Sequence, residues 1–276
     1  MKVAHSIRVL GNHPRPLRLV AARILARTGL SALFTIQLDG YALRFYPTNV
    51  SANLWINPGT HFHDLSLFKD YCRSGDTVVD VGANIGEVSI VVSQRVGASG
   101  HVFAFEPQRR VYRYLLGNLA LNGCRNVTAR NVALGSAPGT VRMSDDKQDD
   151  MNRITQSGVI EVTCSTLDAE VAAPSIALLK IDVEGSELSV LRGGAGVLSR
   201  SMCVNCELID DYCRRDGHAM GDVIGLLAKA GFDTFVVSAP RQLRRVDSRF
   251  ADAGAHELVG LRDPAEFAAR TGWRLA

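Results

Sequence analysis

Short apolar runs alternate with stretches of helical spacing along most of this chain. Two runs, at residues 78–81 and 176–181, are apolar at nearly every position, as in strands buried on both faces. A further apolar strand is predicted at 101–105, and another strand at 127–132. Residues 87–96 and 109–122 show the spacing of amphipathic helices. This alternation predicts an α/β fold, with a largely parallel, Rossmann-like sheet and crossover helices on both faces.

The same alternation continues towards the C-terminus. Residues 159–164 and 202–209 predict two further strands, and residues 219–230 predict a helix. A final antiparallel pair is expected at 232–237 and 256–261. The loop between these two strands is basic and contains Arg241, Arg244, Arg245 and Arg249.

The first 70 residues are interpreted as an appendage of helix, hairpin and lid, followed by one large domain over 71–276. Residues 15–30 form an arginine-studded amphipathic helix, whose apolar face we expect to pack on the domain. A weak contact with anionic lipid, or with an acidic substrate, is the alternative. Asp39-Gly40 lies between alternating apolar residues and predicts a hairpin with a type I′ turn.

The most informative segment is TVVDVGANIGEVSI, in which a strand breaks into a glycine-spaced turn before a helix. Gly82 and Gly86 permit a tight turn and a close approach of the backbone to a ligand. The helix that follows offers free backbone N–H groups at its N-terminus. We therefore expect this loop to bind a nucleotide-like cofactor.

Two residues of the loop narrow the choice of cofactor. A dinucleotide fingerprint would have its middle glycine where Asn84 stands, which argues against a diphosphate. Asp80, two residues before the first glycine, suits a ligand with a cationic amino group. S-adenosylmethionine is such a ligand, and residues 80–86, with Ala83 among them, are predicted to bind it.

Glu106 ends the second apolar strand, 20 residues after Gly86. A carboxylate at this spacing can accept hydrogen bonds from both hydroxyls of a ribose. Together, the loop and the acid indicate a nucleoside cofactor.

Acidic residues also close two later strands. Asp182 follows the run 176–181, on the side where open α/β sheets bind ligands. Glu184 and Glu187 follow Asp182. Glu187 lies in the first turn of the next helix, where the helix dipole by itself favours an acid. Glu207 lies near the end of the next strand and either points into the cleft or caps a loop.

Histidines give a weaker signal. His61, His63 and Asp64 precede the central strand, but polar loops produce such clusters by chance, and no metal site is predicted from them. His218 opens a later helix and is a further candidate base.

Composition restricts the remaining possibilities. The chain has 276 residues, of which 46% are hydrophobic, and a net charge of +3, which is small for a protein that binds nucleic acid. No apolar run has the length of a membrane span, and no secretory signal is recognised, so a cytoplasmic location is expected. The six cysteines are scattered through apolar stretches, as buried reduced thiols are.

Several motifs carry a resemblance to the FkbM family of methyltransferases. They are DVGANIG at 80–86, FEP at 105–107, ALG at 133–135, TLD at 166–168 and KIDVEGSELSVLRGG at 180–194. The resemblance implies a seven-stranded, S-adenosylmethionine-dependent fold that methylates oxygen atoms of sugars, polyketides or other small metabolites. It also implies that Ala133 and Leu134 contribute to the cofactor site.

The hypothesis is therefore methyl transfer to a hydroxyl of a small-molecule acceptor. The alcohol must lose its proton during attack, and the candidate bases are Asp182, Glu184 and Glu207, in that order. A divalent cation held by two of these acids is an alternative. A nicotinamide oxidoreductase and a non-catalytic binding or scaffold protein of the same fold are the rival classes. Nucleic acid is not expected as a substrate.

Overall fold

The apolar runs form the centre of a single large sheet in a computed structural model that describes residues 15–57, 65–145, 152–155 and 157–276. The strands are β1 Thr35–Gln37, β2 Ala42–Arg44, β3 Thr77–Val81, β4 His101–Phe105, β5 Val127–Arg130, β6 Ala133–Leu134, β7 Gly139–Met143, β8 Ile160–Ser165, β9 Ile176–Ile181, β10 Ser201–Ile209, β11 Asp233–Ala239, β12 Gln242–Arg245, β13 Ala255–Leu261 and β14 Arg274–Leu275.

The helices predicted at 15–30, 87–96, 109–122 and 219–230 are found at nearly those positions, and shorter helices lie between the other strands. They are α1 Pro16–Thr28, α2 Asn49–Ile56, α3 Ser66–Tyr71, α4 Glu87–Val96, α5 Arg109–Leu121, α6 Leu167–Glu170, α7 Glu187–Arg192, α8 Ala195–Ser199, α9 Asp210–Arg215, α10 Met220–Lys229 and α11 Pro264–Thr271. A short 3₁₀ helix, Leu30–Leu33, follows α1.

The large sheet has the strand order β14-β12-β11-β13-β10-β9-β3-β4-β5. The five strands from β10 to β5 are parallel, and β13 runs antiparallel between β10 and β11. The predicted Rossmann-like sheet of seven strands is confirmed, as is the final antiparallel pair. Two more strands, β12 and β14, extend the edge beyond the predicted seven.

The prediction of a basic loop between the last two strands is wrong for residues 242–245, because these residues form β12. Arg241 has a positive φ of 56° at the tight turn, and the chain then returns antiparallel to β11. Leu243 is fully buried between exposed arginines, so one inward side chain anchors a strand in an otherwise basic segment.

Two hydrophobic clusters cover the two faces of the sheet. One contains side chains from α2 to α5 and from α11, together with Val78 and Leu178 of the central strands. The other contains α7, α8 and α10, together with Val79 and Leu179. Neighbouring residues on one strand thus enter different clusters, as expected for a sheet with helices on both faces.

The N-terminal appendage shares the first of these clusters. Leu43 and Phe45, at the end of the hairpin, are fully buried there, and the partly buried Leu19 and Leu25 of α1 pack against the cluster. The structure therefore joins residues 15–57 to the large domain through one apolar core. The proposed boundary at residue 70 stays a prediction.

The hairpin itself is confirmed, because β1 and β2 pair antiparallel. The predicted turn type is wrong, however. A type I′ turn requires positive φ at both central residues, whereas only Gly40, with φ 85°, has one and Asp39 does not. The loop closes with the N–H of Leu38 donating to the carbonyl of Tyr41 at 2.9 Å.

Residues 159–164 also form the expected strand, but β8 lies outside the large sheet. It pairs with β6 and β7 in a separate three-stranded sheet. This small sheet follows β5 and precedes β9 in the chain.

Asp168 of the TLD motif has a structural task. Its two carboxylate oxygens accept from the N–H groups of Val197 at 2.7 Å and Gly196 at 3.0 Å, in the first turn of α8. The motif therefore caps a helix that lies nearly thirty residues further along the chain.

Apolar side chains remain exposed on α1 and the 3₁₀ helix. Leu17 is 84% exposed, Ile24 56% and Leu33 77%. In the described part of the chain, no helix is long and apolar enough to cross a membrane.

Candidate active site

A cleft opens at the carboxyl ends of the central parallel strands. Its lining comes from the loops after β3, β4 and β9, from the end of β10 and from the small sheet. The described residues that line it are Val81, Gly82, Asn84, Phe105, Glu106, Pro107, Val132, Ala133, Leu134, Met143, Asn152, Arg153, Ile154, Asp182, Val183, Glu184 and Glu207.

The floor of the cleft is formed by two loops in direct contact. Gly82 has φ 78°, and a Cβ atom built there would lie 1.8 Å from the backbone oxygen of Asp182. A side chain at Gly82 would therefore push the two loops apart. We expected a glycine at this position because a ligand approaches the backbone closely. The structure shows that the contact between the two loops already requires it.

The loop after β9 is packed on its other side as well. Glu184 has a positive φ of 58°, and a Cβ atom at Gly185 would lie 2.9 Å from the carbonyl oxygen of Tyr212 in α9. Backbone in the left-handed region is uncommon for a residue with a side chain, and it clusters at functional sites. Asn84, in the loop after β3, shows the same feature, with φ 48°.

Asp80 lies beneath the floor instead of lining the cleft. It is fully buried; its Oδ2 accepts from the hydroxyl of Ser89 at 2.6 Å, and its Oδ1 lies 3.2 Å from the Nζ of Lys180. We expected Asp80 to face the amino group of a ligand. The structure gives it a protein cation instead, because Asp80 and Lys180 are neighbours on adjacent strands.

Lys180 connects several parts of the site. Its Nζ also lies 3.4 Å from Oδ2 of Asp182 and donates to the carbonyl of Gly82 at 2.9 Å. Burial by itself would lower the pKa of Lys180, but the charges of Asp80 and Asp182 outweigh it and raise the pKa above its ordinary value. The ammonium group is thus kept charged at the junction of the two loops.

Glu106 lies at the rim of the cleft and is held by backbone donors. Its Oε2 accepts from the N–H of Asn84 at 3.1 Å, and its Oε1 accepts from the N–H of Gln108 at 2.8 Å. The amide of Asn131 donates to the carbonyls of Glu106 and Pro107, at 2.8 Å each. The carboxylate is thereby fixed in orientation.

Two acids meet at the opposite side of the cleft. Glu207 shares a hydrogen bond with Asp182, and burial together with the charges of Asp182 and Glu257 raises the pKa of Glu207 to about 7, against the opposing charge of Lys180. The carboxyl group of Glu207 therefore exchanges its proton near neutral pH. Asp182 has the ammonium of Lys180 beside it.

Glu187 supports the loop that carries these acids. Its Oε1 accepts from the N–H groups of Val183 at 3.3 Å and Gly185 at 3.0 Å. Burial raises the pKa of Glu187 to about 7, although these backbone donors act to lower it. We expected Glu187 only as an acid favoured by the helix dipole. The structure shows that it also holds the backbone of the loop.

The structure brings most of the predicted site residues to one place. Those that line the cleft are Gly82, Asn84, Glu106, Ala133, Leu134, Asp182, Glu184 and Glu207. Three predicted cofactor residues do not line it: Asp80, Ala83 and Gly86. A Cβ atom at Gly86 would lie 2.6 Å from a methyl carbon of Leu115, so this glycine serves the packing of α4 on α5.

The histidines separate into two groups. His61, His63 and Asp64 lie outside the described residues. His218 lies in the turn before α10, where burial lowers its pKa, and it does not line the cleft.

Sequence reasoning missed three residues that shape the site. Lys180 could have been found, since a lysine inside the apolar run IALLKI needs a buried acid as partner. Asn131 and Arg153 follow no recognisable pattern. They reach the site because of the path of the chain after β5 and between β7 and β8.

The sheet order, the glycine loop and the acids at the strand ends define a Rossmann-like α/β protein with a ligand cleft at the carboxyl ends of its parallel strands. The chain belongs to the methyltransferase FkbM domain family, whose sequence profile matches residues 80–234.

Curated relatives have related names. The chain is 26% identical to the hexuronic acid methyltransferase AglP of Haloferax volcanii over 218 residues, which cover 74% of this chain and 84% of that protein. It is 29% identical to the methyltransferase sdnD of Sordaria araneosa over 171 residues, which cover 46% of this chain and 66% of that protein.

One solved structure with a similar fold is an S-adenosylmethionine-dependent O-methyltransferase from Thermotoga maritima. The similarity covers 78% of this chain and 72% of that one, with 14% identity and a TM-score of 0.43.

The buried ion pair can be tested by replacing Lys180 with methionine. This change leaves Asp80 charged and buried without its partner, so the free energy of unfolding should fall by about 3–5 kcal/mol. Adding Asp80→Asn to Lys180→Met should restore part of the loss. Urea denaturation of both variants measures these effects.

The exposed pair of Lys69 and Asp39, 3.3 Å apart, offers the matched control. Lys69→Met should cost less than about 1 kcal/mol, as surface ion pairs do. Equal losses for the two lysines would contradict the structural role given to Lys180.

Proposed function

We propose that this protein transfers a methyl group from S-adenosylmethionine to a hydroxyl oxygen of a sugar or another small metabolite. The observation that carries the proposal is the position of Glu207. Its carboxyl group, with a pKa of about 7, lies at the cleft that also contains Glu106 and the glycine loop. A base that titrates near neutral pH beside a nucleoside site suits the deprotonation of an alcohol.

The lining of the cleft fits the proposed cofactor. Phe105, Val132 and Leu134 offer an apolar wall for a nucleobase, and Glu106 offers oriented oxygens for the two hydroxyls of a ribose. Asn84 also lines the cleft, and its backbone N–H donates to Glu106. When bound, S-adenosylmethionine supplies an electrophilic methyl group on a sulfonium centre.

The remaining task of the chain is to orient the acceptor and to accept its proton. Glu207 is the proposed base, ahead of Asp182 and Glu184, because Asp182 already neutralises part of the charge of Lys180. Asp182 keeps the pKa of Glu207 high through its own negative charge. The pair thus provides an acid that is ionised above about pH 7 and ready to accept a proton there.

The acceptor class is suggested by one side chain and one relative. Arg153 is the only cation among the described residues that line the cleft, and a guanidinium suits a carboxylate. The relative AglP is named for a hexuronic acid. Hexuronic-acid glycosides are therefore the first acceptors to test, with neutral hexosides for comparison.

The cofactor site can be tested with Glu106→Gln. The change removes the charge and one acceptor, and a charge-assisted hydrogen bond contributes about 1.5–3 kcal/mol, so cofactor affinity should fall roughly 10- to 100-fold. Calorimetry should show similar losses for S-adenosylmethionine and for S-adenosylhomocysteine, which share the ribose.

The exposed Glu161 of β8 supplies the control, because Glu161→Gln makes the same chemical change away from the cleft. A loss confined to S-adenosylmethionine would mean that Glu106 responds to the sulfonium charge, and the ribose placement would be wrong.

The proposed base can be tested through the pH profile. Below about pH 7 the carboxyl of Glu207 is protonated and cannot accept a proton, so turnover should fall about tenfold for each further pH unit. Glu207→Gln should remove this acidic limb and lower the plateau roughly 100-fold. The measurement is formation of S-adenosylhomocysteine with a hexuronic-acid glycoside.

Carboxyl carbon NMR can follow the same group without an acceptor. Two glutamate resonances, those of Glu207 and Glu187, should titrate near pH 7 in the unmodified protein, and one of the two should be absent from Glu207→Gln. An acidic limb that persists in the variant would assign the proton to another group.

A further inference from the structure

Three side chains with metal-binding atoms converge behind the loop that carries the acids. Glu187 begins α7, Cys213 lies in α9 and His218 follows in the turn before α10. One ligand atom from each lies within 4.8 Å of the other two. Glu187 is 1% exposed and Cys213 is fully buried, whereas His218 is half-buried, with its Nε2 atom inside.

Two of these side chains have a polar atom that nothing in the described part of the chain satisfies. They are Oε2 of Glu187 and Nε2 of His218, and both atoms are buried. A buried polar atom without a partner costs about 1–3 kcal/mol, and such atoms are rare in native proteins. Finding two of them beside a buried thiol indicates that a ligand completes the cluster.

The set of donors identifies the chemical class of that ligand. A thiolate, an imidazole and a carboxylate together are typical ligands of Zn²⁺, which binds four donors in a tetrahedron. In such a site the ligand atoms lie about 3.6 Å apart, so the three side chains need to close by about 1 Å at most. A water molecule can supply the fourth donor.

The surroundings of the cluster resemble the outer shell of a metal site. The ring of His218 makes a hydrogen bond with the backbone of Asp216. Because Nε2 has no partner, this bond uses Nδ1 and leaves Nε2 directed to the cluster. The Oε1 of Glu187 is likewise held by the N–H groups of Val183 and Gly185. Both ligands are thus oriented by backbone groups, as metal ligands usually are.

We infer that Glu187, Cys213 and His218 form a structural Zn²⁺ site that ties the acid-bearing loop after β9 to α9. Binding of the ion releases the thiol proton of Cys213 to solvent. With its Oε2 on the ion, Glu187 fixes the backbone of Val183 and Gly185 through its Oε1. The site does not depend on the proposed activity, because none of its ligands lines the cleft.

The test uses the full chain after treatment with a chelator. Titration with Zn²⁺ in a calorimeter should give one ion per chain, and Co²⁺ should give the sulfur-to-metal absorption of a thiolate ligand. Zn²⁺ should also raise the melting temperature, because it binds the folded state. Cys213→Ser, His218→Gln and Glu187→Gln should each weaken binding roughly 100-fold or more.

Cys164→Ser is the matched control, because Cys164 is also a buried thiol but belongs to the small sheet. It should retain both the affinity and the cobalt absorption. If Cys213→Ser fails to fold, Glu187→Gln and His218→Gln still test the site. Absence of Zn²⁺ binding, or binding that is unchanged in these variants, would overturn the inference. A direct hydrogen bond between Glu187 and His218 would then be the explanation for the two buried polar atoms.

A second inference comes from the exposed apolar side chains near the N-terminus. Ten large hydrophobic residues are exposed among the described residues, and six of them lie between residues 17 and 34. They are Leu17, Val20, Ile24, Leu30, Leu33 and Phe34. A concentration of this kind marks an interaction surface, which we call the N-terminal patch.

The charges beside the patch indicate what it binds. Leu17, Val20 and Ile24 share one face of α1 by helical spacing, and Arg23 and Arg27 flank this face. Both arginines are exposed and have no ion pair among the described residues, and no acid occurs in residues 15–38. Apolar residues beside cations on a helix are the pattern of a surface that lies on anionic lipid.

The geometry points to an interfacial contact between the N-terminal patch and an anionic membrane surface. The protein should co-sediment with vesicles of phosphatidylcholine and phosphatidylserine, and less with vesicles of phosphatidylcholine alone. Arg23→Gln with Arg27→Gln should weaken this binding about fivefold per arginine. Leu17→Gln with Ile24→Gln should also weaken it.

Leu116→Gln with Leu121→Gln is the control, since these exposed leucines lie on α5, outside the patch. Binding that is equal for both vesicle types, or unchanged in the patch variants, would overturn the inference. So would sedimentation of the unmodified protein as a dimer that Leu17→Gln with Ile24→Gln dissociates, because the patch would then bind a second copy of the chain.

Discussion

The ammonium group of Lys180 is the constraint on which the rest of the site depends. It is buried between two strands and compensated by Asp80 and Asp182, and it also donates to the backbone of Gly82. One side chain therefore joins the strand that precedes the glycine loop to the strand that precedes the acids. The separation of the two loops, and with it the width of the cleft floor, follows from this contact.

The same charge explains the different environments of the neighbouring acids. Asp182 lies close enough to Lys180 to form an ion pair with it. For Glu207, burial and the negative charge of Asp182 raise the pKa by more than the charge of Lys180 lowers it. Two carboxyl groups that share a hydrogen bond are thus placed in unlike surroundings. Such a difference assigns separate tasks to acids that look equivalent in the sequence.

The periodic parts of the fold could be predicted from the sequence, and the irregular parts could not. The apolar runs and the helical spacing identified β3, β4 and β9 together with α4 and α5, because periodic burial leaves a clear pattern. β12 was missed, since it buries only Leu243 between arginines. The turn at Gly40 was assigned the wrong type, because its sequence is compatible with more than one geometry.

The candidate site shows a similar division. Glycines and acids at the strand ends indicated where the cleft lies, because parallel strands deliver their carboxyl ends to one edge of the sheet. The sequence could not indicate that Asp80 points beneath the floor, since that depends on the partner across the sheet. Arg153 and the cluster around Cys213 depend on how distant segments pack, and no local pattern records this.

The contact between Gly82 and the carbonyl oxygen of Asp182 limits how this protein can diversify. Neither this glycine nor Gly185 can gain a side chain without displacing neighbouring backbone, so the floor of the cleft tolerates little mutational change. A change of acceptor during evolution has to come from the walls, where Met143, Arg153 and Ile154 present side chains from β7 and from the segment between β7 and β8. The fold thus separates an invariable floor from walls that selection can reshape.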